Sequence, residues 1–370
     1  MCLKKLNSLS LKWRPKNFSD LKSQDHLIKF FKYSIKYKKI SHSYLFFGPS
    51  GVGKTSLARI LVKYLNCKNK LKYNSCNICT NCRLINSNNF SDFLEIDGAS
   101  NRSVDEISLL LNNILFSPMK GFYKIYLIDE FHMLSNHALS IMLKLLEEPP
   151  YYVKFILITT NFEKIPITII SRCICLNFKL VSTIDIILYI FKILLKEKIF
   201  FTKNAIFLIS NYSNGNMRDA LSILEQIIYY SNKNIKSKYL YKIINIIDNY
   251  FLVKLIFCII NYDIFFLTKM SIFIKKNNFS YIDIILNLIN IFLNLIITQY
   301  SSNYSKLNFN KFKKKFLQLS ILISPKRLNI LYKIAFLGIK ELKIFNNYNV
   351  FLMILINMNF KLNLNKNIYE

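Results

Sequence analysis

Eight consecutive residues, Gly48-Pro49-Ser50-Gly51-Val52-Gly53-Lys54-Thr55, have the pattern G-x-x-x-x-G-K-T. Glycines at this spacing let backbone N–H groups converge on a polyanion, and a helix opening at the lysine adds the positive end of its dipole. In that chemistry Lys54 reaches the β- and γ-phosphates of ATP, and the Thr55 hydroxyl holds Mg²⁺. Three of the chain's seven glycines fall in this octet, which makes an ordinary glycine turn a poor account of it. A second run, Ile125-Tyr126-Leu127-Ile128-Asp129-Glu130, ends in two carboxylates. Asp129 would complete the Mg²⁺ shell, and Glu130 could polarise an attacking water. Alone, such a pair is a common strand end; following a phosphate loop, it reads as its partner.

Four cysteines, Cys67, Cys76, Cys79 and Cys82, follow C-x8-C-x2-C-x2-C. Four thiolates so spaced close a tetrahedral Zn²⁺ site with no open position, so the expected role is structural. An iron–sulfur ferredoxin run would place a fourth cysteine three residues after the triplet, followed by proline, and none stands there. Metal binding then supplies the folding energy of a polar insertion. Cys2, Cys173, Cys175 and Cys258 share no such pattern.

The elements that must hold these groups are legible around them. The apolar run Tyr44-Leu45-Phe46-Phe47 precedes the octet, and a helix follows it to about Asn66. Strand-like runs at Phe93–Ile96, Lys124–Ile128 and Phe155–Ile158, with a fifth candidate at Ile174–Phe178, alternate with helical patterns at 20–40, 103–115 and 135–147. Continuous apolar runs of this length are strands covered on both faces, and their alternation with helices predicts a parallel, doubly wound sheet over residues 1–180. Beyond 181 the strand signal stops. Ser182-Thr183-Ile184-Asp185 opens a helix with a capping-box pattern, and Gly215-Asn216-Met217-Arg218-Asp219-Ala220-Leu221 leads into another. We expect a small helical domain at 181–240 and a third, all-helical one at 241–370.

The 370 residues carry a net charge of +30, which favours a nucleic-acid partner, although many lysines lie in Asn/Lys-rich stretches typical of biased coding. Only seven of the 51 basic residues are arginine: Arg14, Arg59, Arg83, Arg102, Arg172, Arg218 and Arg327. A chain that spends lysine wherever a plain cation serves keeps arginine where a planar fork is needed. The N-terminus lacks the apolar core of a secretory signal. The most hydrophobic run, Ile284–Ile297, is interrupted by three asparagines and reads as too short and polar to cross a membrane. The expectation is a cytoplasmic protein without disulfides and without a membrane partner.

With these motifs in hand, the sequence resembles the gamma/tau ATPase subunits of the bacterial DNA polymerase III clamp loader, members of the AAA+ superfamily. The resemblance covers roughly residues 10–230. It rests on Lys12-Trp13-Arg14-Pro15, the phosphate loop, the cysteine module, Glu95-Ile96-Asp97-Gly98-Ala99-Ser100 and Ile128-Asp129-Glu130-Phe131-His132-Met133-Leu134. Leu145-Leu146-Glu147-Glu148-Pro149-Pro150, Thr159-Thr160-Asn161, Ser171-Arg172-Cys173 and Met217-Arg218-Asp219-Ala220-Leu221 complete it. It implies an AAA+ domain with an inserted zinc module, a helical lid and a collar-forming C-terminal domain. It further implies that Thr160 senses the γ-phosphate and that Arg218 touches the phosphates from the lid. Arg172 would be an arginine finger for ATP on the neighbouring subunit, and Trp13-Arg14-Pro15 would flank the adenine.

The implied activity is ATP hydrolysis that drives the loading of a sliding clamp onto primer–template DNA, within an oligomer of clamp-loader subunits expected to be pentameric. Asn101, Arg102 and Ser103, ahead of a helix, are candidate DNA contacts; His132 reads as a packed or hydrogen-bonded residue. The chain reaches about the end of the family's collar, which leads us to expect no tau-type extension. Competing readings are a non-catalytic delta-prime-like subunit, a branch-migration motor, and a zinc-stabilised DNA-binding protein with a vestigial ATPase. The intact Gly53-Lys54-Thr55 argues against the first, and a branch-migration motor would not need the cysteine module.

Overall fold

Leu45 pairs with Leu157 on one side and Cys175 on the other, and Ile128 also pairs with Leu157, so four strands run in parallel side by side in one sheet. The computed structural model describes residues 8–100, 114, 116–231, 234–236, 239–240, 249–300 and 313–364. Most of the helical pattern at 103–115, with Asn101, Arg102 and Ser103, lies outside the described residues, as does the boundary expected after 240. The chain forms two compact units, Met1–Ser237 and Lys238–Glu370.

In the first unit the strands are β1 (Ser43–Phe47), β2 (Phe93–Asp97), β3 (Lys124–Asp129), β4 (Val153–Thr159) and β5 (Ile174–Asn177), in the order β2-β3-β4-β1-β5. All pair in parallel. The three inner strands are apolar and almost wholly buried along their length, whereas the edge strands β2 and β5 are partly exposed. Side-chain alternation sorts the inner residues to opposite faces. Tyr44, Phe46, Ile125, Leu127, Ile156 and Ile158 face helices α2 (Asp25–Lys36) and α3 (Lys54–Asn66). Leu45, Tyr126, Ile128, Phe155 and Leu157 face the helix at Asn136–Glu147. That helix starts where Ser135 Oγ accepts from the Ala138 N–H and stops two residues before Pro149. The doubly wound reading is what these faces require. The first helical expectation, 20–40, is shorter in the structure: a 3-10 turn at Phe18–Asp20 precedes α2.

Beyond the sheet, helices at Thr183–Lys196, Lys203–Tyr212 and Met217–Tyr230 pack through Ile186, Ile190, Ile193, Ala205, Ile209, Leu224 and Ile227, all at or near zero exposure. Ser182 caps the first of them by accepting from the Asp185 N–H. The strand signal does not stop completely here, since Phe200–Phe201 pairs in parallel with Asn234–Ile235. A two-residue pair is too short for periodicity to register.

In the second unit, helices at Asn249–Ile260, Ile264–Lys276, Tyr281–Tyr300, Lys313–Leu322, Pro325–Ile344 and Tyr348–Leu364 enclose one apolar core. The helix containing Ile284–Ile297 corrects the sequence reading on length: it runs 20 residues, with a mean hydropathy of 1.9 over its most apolar 18, long and apolar enough to cross a membrane. One face of it, Ile284, Ile285, Leu288, Ile291, Phe292 and Leu295, is buried in the core of this unit.

Candidate functional site

The turn between β1 and α3 carries three glycines at positive φ: Gly48 (138°), Gly51 (69°) and Gly53 (102°). At Gly51 the requirement is double. A side chain strains the left-handed backbone, and a Cβ would lie 1.6 Å from Asn216 Oδ1. Asn216 caps the Met217–Tyr230 helix by accepting from the N–H groups of Arg218 and Asp219, and it also donates to Ser50 Oγ at 3.4 Å. The loop therefore touches the start of the helix that carries Arg218. Gly51→Ala is expected to lower ATP affinity by about tenfold, since the free loop would relax away from a left-handed alanine and regaining that conformation on binding costs about 1–2 kcal/mol; titration of nucleotide into the purified chain checks it.

Lys54 is nearly buried, and its ammonium donates to the carbonyls of Gly48 (2.6 Å) and Pro49 (2.7 Å). Burial pulls its pKa below the ordinary lysine range, opposed by Glu130 and Asp129, and Arg218 pulls it further down. Arg14 is lowered too, by burial first, then by Arg59, with a smaller push from Arg218. Lys54 and Arg14 line one cavity with Arg218, which repels both, and a polyanion bound there would relieve them.

Thr55 Oγ1 donates to Asp129 Oδ2 at 2.9 Å, so the hydroxyl and carboxylate predicted to share Mg²⁺ meet at the end of β3. The next residue, Glu130, is held in the left-handed region (φ 47°, ψ 46°). One of its carboxylate oxygens, Oε2, accepts from Thr160 Oγ1 (2.8 Å) and Thr160 N–H (3.3 Å), and His132 Nδ1 lies 3.4 Å from it. His132 also contacts Thr159 Oγ1 at 3.0 Å. Gly98 permits this corner: a Cβ there would stand 2.8 Å from the Glu130 carbonyl oxygen. His132 is hydrogen-bonded as expected from the sequence, but its place beside Glu130 and the roles of Asn216 and Gly98 were not read there, although each stands in or beside a motif. The contact between Glu130 and Thr160 exists because β3 and β4 are neighbours.

Trp13, Arg14 and Pro15 line the same cavity as Ser50–Ser56, Asp129, Glu130, Thr160 and Arg218. The Trp13 indole donates to Glu197 at 2.9 Å, and its carbonyl accepts from the Tyr189 hydroxyl at 2.5 Å, tying the N-terminal segment to the helix at Thr183–Lys196. Arg14 Nε reaches Ser56 Oγ at 3.4 Å on α3. Arg59 bridges α3 to β2 through Glu95 and to the preceding turn through Asn88, so its guanidinium is held away from the cavity. Arg172 is not among the described residues lining the cavity. It is exposed, pairing with Glu147 Oε1 (2.6 Å) and the Thr168 carbonyl (2.8 Å).

The four Sγ atoms of Cys67, Cys76, Cys79 and Cys82 lie within 4.8 Å of one another. Tetrahedral Zn–S bonds of about 2.3 Å put sulfurs about 3.8 Å apart, so the set fits the ion. Cys67 and Cys82 are buried, and the Cys76 and Cys79 N–H groups donate to Cys67 Sγ and Cys76 Sγ at 3.3 Å each. N–H donation from Cys79 and Ile78 pulls the Cys76 thiol down to about 6, which favours the ligating thiolate.

Comparison with known proteins follows this geometry. The family model for the DNA polymerase III delta subunit matches residues 23–182, and that for the ATPase lid domain of the DNA polymerase III clamp loader subunit matches residues 185–233. DNA polymerase III subunit gamma of Buchnera aphidicola subsp. Baizongia pistaciae is 37% identical over 340 residues, 91% of this chain and 92% of that protein. Subunit tau of Escherichia coli is 43% identical over 220 residues, 60% of this chain and 34% of the tau protein, so the match spans about a third of that longer relative. The Thermotoga maritima RuvB Holliday junction branch migration motor aligns over 67% of this chain and 79% of its own at 17% identity and a TM-score of 0.47, a likeness that carries no functional argument. A phosphate loop facing paired carboxylates, joined to identity along almost the whole of a gamma relative, leads to one conclusion: the chain belongs to the gamma/tau family of DNA polymerase III clamp-loader subunits.

Proposed function

We propose that this chain binds ATP·Mg²⁺ in the cavity around Gly48–Thr55 and hydrolyses it as the motor subunit of an oligomeric clamp loader. The observation that carries this reading is the convergence of Thr55, Asp129, Glu130 and Thr160 at the end of two neighbouring strands, beside a loop whose N–H groups suit a triphosphate. Thr55 and Asp129 would hold the magnesium ion, which supplies charge neutralisation at the β- and γ-oxygens. Glu130 orients and deprotonates the attacking water, Thr160 fixes that carboxylate, and Lys54 and Arg218 grip the phosphates. Arg172 acts on ATP held by the adjacent subunit, so hydrolysis depends on assembly. The partners are other clamp-loader subunits, a ring-shaped sliding clamp and primer–template DNA, in a pentamer working in the cytoplasm, with the DNA contact salt-dependent. The chain divides into a nucleotide-binding domain to 180, a lid to 240 and a collar beyond it.

The test is ATP turnover by the purified assembly with clamp and primed DNA, with Lys54→Ala as background control. Stimulation by clamp and primed DNA together, with clamp transfer to the template, is expected. A delta-prime-like subunit or a DNA-binding protein with a vestigial ATPase would bind partners and leave nucleotide intact, and that outcome rejects the proposal.

The cysteine module holds one structural Zn²⁺ on Cys67, Cys76, Cys79 and Cys82. Cys82→Ser is expected to lower bound zinc from one per chain to a small fraction, read by metal analysis of the purified protein. With zinc contributing on the order of 10 kcal/mol in isolated peptides, the same variant should melt at a lower temperature.

A further inference from the structure

The cysteine module and the nucleotide cavity share a structural bridge. Asn77 stands between Cys76 and Cys79 with a left-handed backbone (φ 58°). Its Nδ2 donates to Asn17 Oδ1 at 2.9 Å, and its Oδ1 accepts from the buried Lys63 ammonium at 3.0 Å. The same ammonium donates to the Lys16 carbonyl at 3.1 Å. The N–H groups of Lys16 and Asn17 in turn donate to Asp20 Oδ2 at 3.3 and 3.1 Å, and Asp20 lines the cavity with Trp13, Arg14 and Pro15. A second connection runs through α3, which begins at Lys54 and ends immediately before Cys67.

Resting on the reading of the cavity as an ATP site, we propose that the cysteine module positions the segment Trp13–Lys22 over the nucleotide through Asn77 and Asn17, so that metal occupancy and nucleotide affinity are coupled. Asn77 and Asn17 are positioning residues: neither lines the cavity, and each acts through the backbone at 16–20. Cys76 and Cys79 flank Asn77, so ligation of both would pin its left-handed conformation and the direction of its side chain. By linkage the coupling is reciprocal, and bound ATP tightens zinc by the same factor.

Trp13 is the single tryptophan of the chain, so its emission reports this segment. Stripping zinc from the full-length protein with a chelator is expected to shift that emission and to weaken binding of ATP·Mg²⁺ by about fivefold or more, within the usual range of such couplings. Asn17→Ala, remote in sequence from the cysteines, should reproduce the loss with one zinc still bound. Asn77→Gly, which keeps the positive φ and removes the side chain, should do the same. The double variant should lose no more than Asn77→Gly alone, because the Asn17 link to the module runs through Asn77. Losses that multiply in the double variant, or affinity within twofold of wild type in both single variants, overturn the proposal. Should stripping unfold the chain, the two variants with metal retained decide it. Should no form bind ATP, the reading of the cavity fails on its own, and Trp13 emission that is indifferent to zinc removal still rejects the coupling.

Discussion

Arg172→Ala leaves ATP binding by the chain unchanged and lowers turnover in the assembled complex by about 10³–10⁵-fold, the contribution of an arginine finger in phosphoryl transfer. The expectation comes from where the guanidinium is and what it holds. It is exposed, stands outside the described lining of its own cavity, and pairs with Glu147 at 2.6 Å. Both side chains of that pair are substantially solvated, so the pair contributes little to stability and is exchanged cheaply for a phosphate. A finger missing from the transition state changes kcat and spares ground-state binding. Equilibrium binding of a non-hydrolysable ATP analogue, beside steady-state turnover with clamp and primed DNA, separates the two quantities. Normal turnover in the variant would remove Arg172 from the chemistry and with it the dependence of hydrolysis on assembly. Arg172→Lys should recover little, since an ammonium cannot make the bidentate contact.

The residues on which this rests differ in how far the sequence disclosed them. Lys54, Thr55, Asp129 and the four cysteines are visible because each group sits in a local pattern whose spacing is itself the chemistry. The inner strands were legible because burial on both faces leaves runs such as Phe155–Ile158 with no polar interruption. The pair Phe200–Phe201 with Asn234–Ile235 was not legible, being held by one register of two residues. Nor could spacing reveal that Thr160 and His132 share the Glu130 carboxylate, because that contact is created by strand order. Asn17 and Asn77 lie 60 positions apart, and nothing in either local sequence marks the other. In the second unit, runs of Ile, Asn, Lys and Phe blur the helical period, so its element bounds came from packing around Leu288, Phe292 and Leu331. The apolar helix Tyr281–Tyr300 is the instructive case: its asparagines broke the run on paper, yet its buried residues fall on one continuous face.

Glu130→Gln keeps nucleotide binding and lowers hydrolysis by about 10²–10⁴-fold, the usual contribution of a positioned general base. The amide is isosteric, so Thr160 can still donate to its oxygen, and the left-handed backbone at 130 is undisturbed. Asp129 stays in contact with Thr55, and the proposed magnesium site persists. What is removed is a charge able to take a proton from water. The comparison with Arg172→Ala is sharper than either variant alone. Each site is proposed to draw Glu130 from one subunit and Arg172 from the next, in a head-to-tail interface. Assemblies made only of Glu130→Gln chains, or only of Arg172→Ala chains, are therefore inactive. Random 1:1 mixing places an intact Glu130 opposite an intact Arg172 at about a quarter of the interfaces between such chains. Turnover should reappear on mixing in that proportion, measured against wild type at equal total protein. Were the arginine to act on its own subunit's nucleotide, no mixed interface would hold both groups, and the mixture would remain as inactive as its parents.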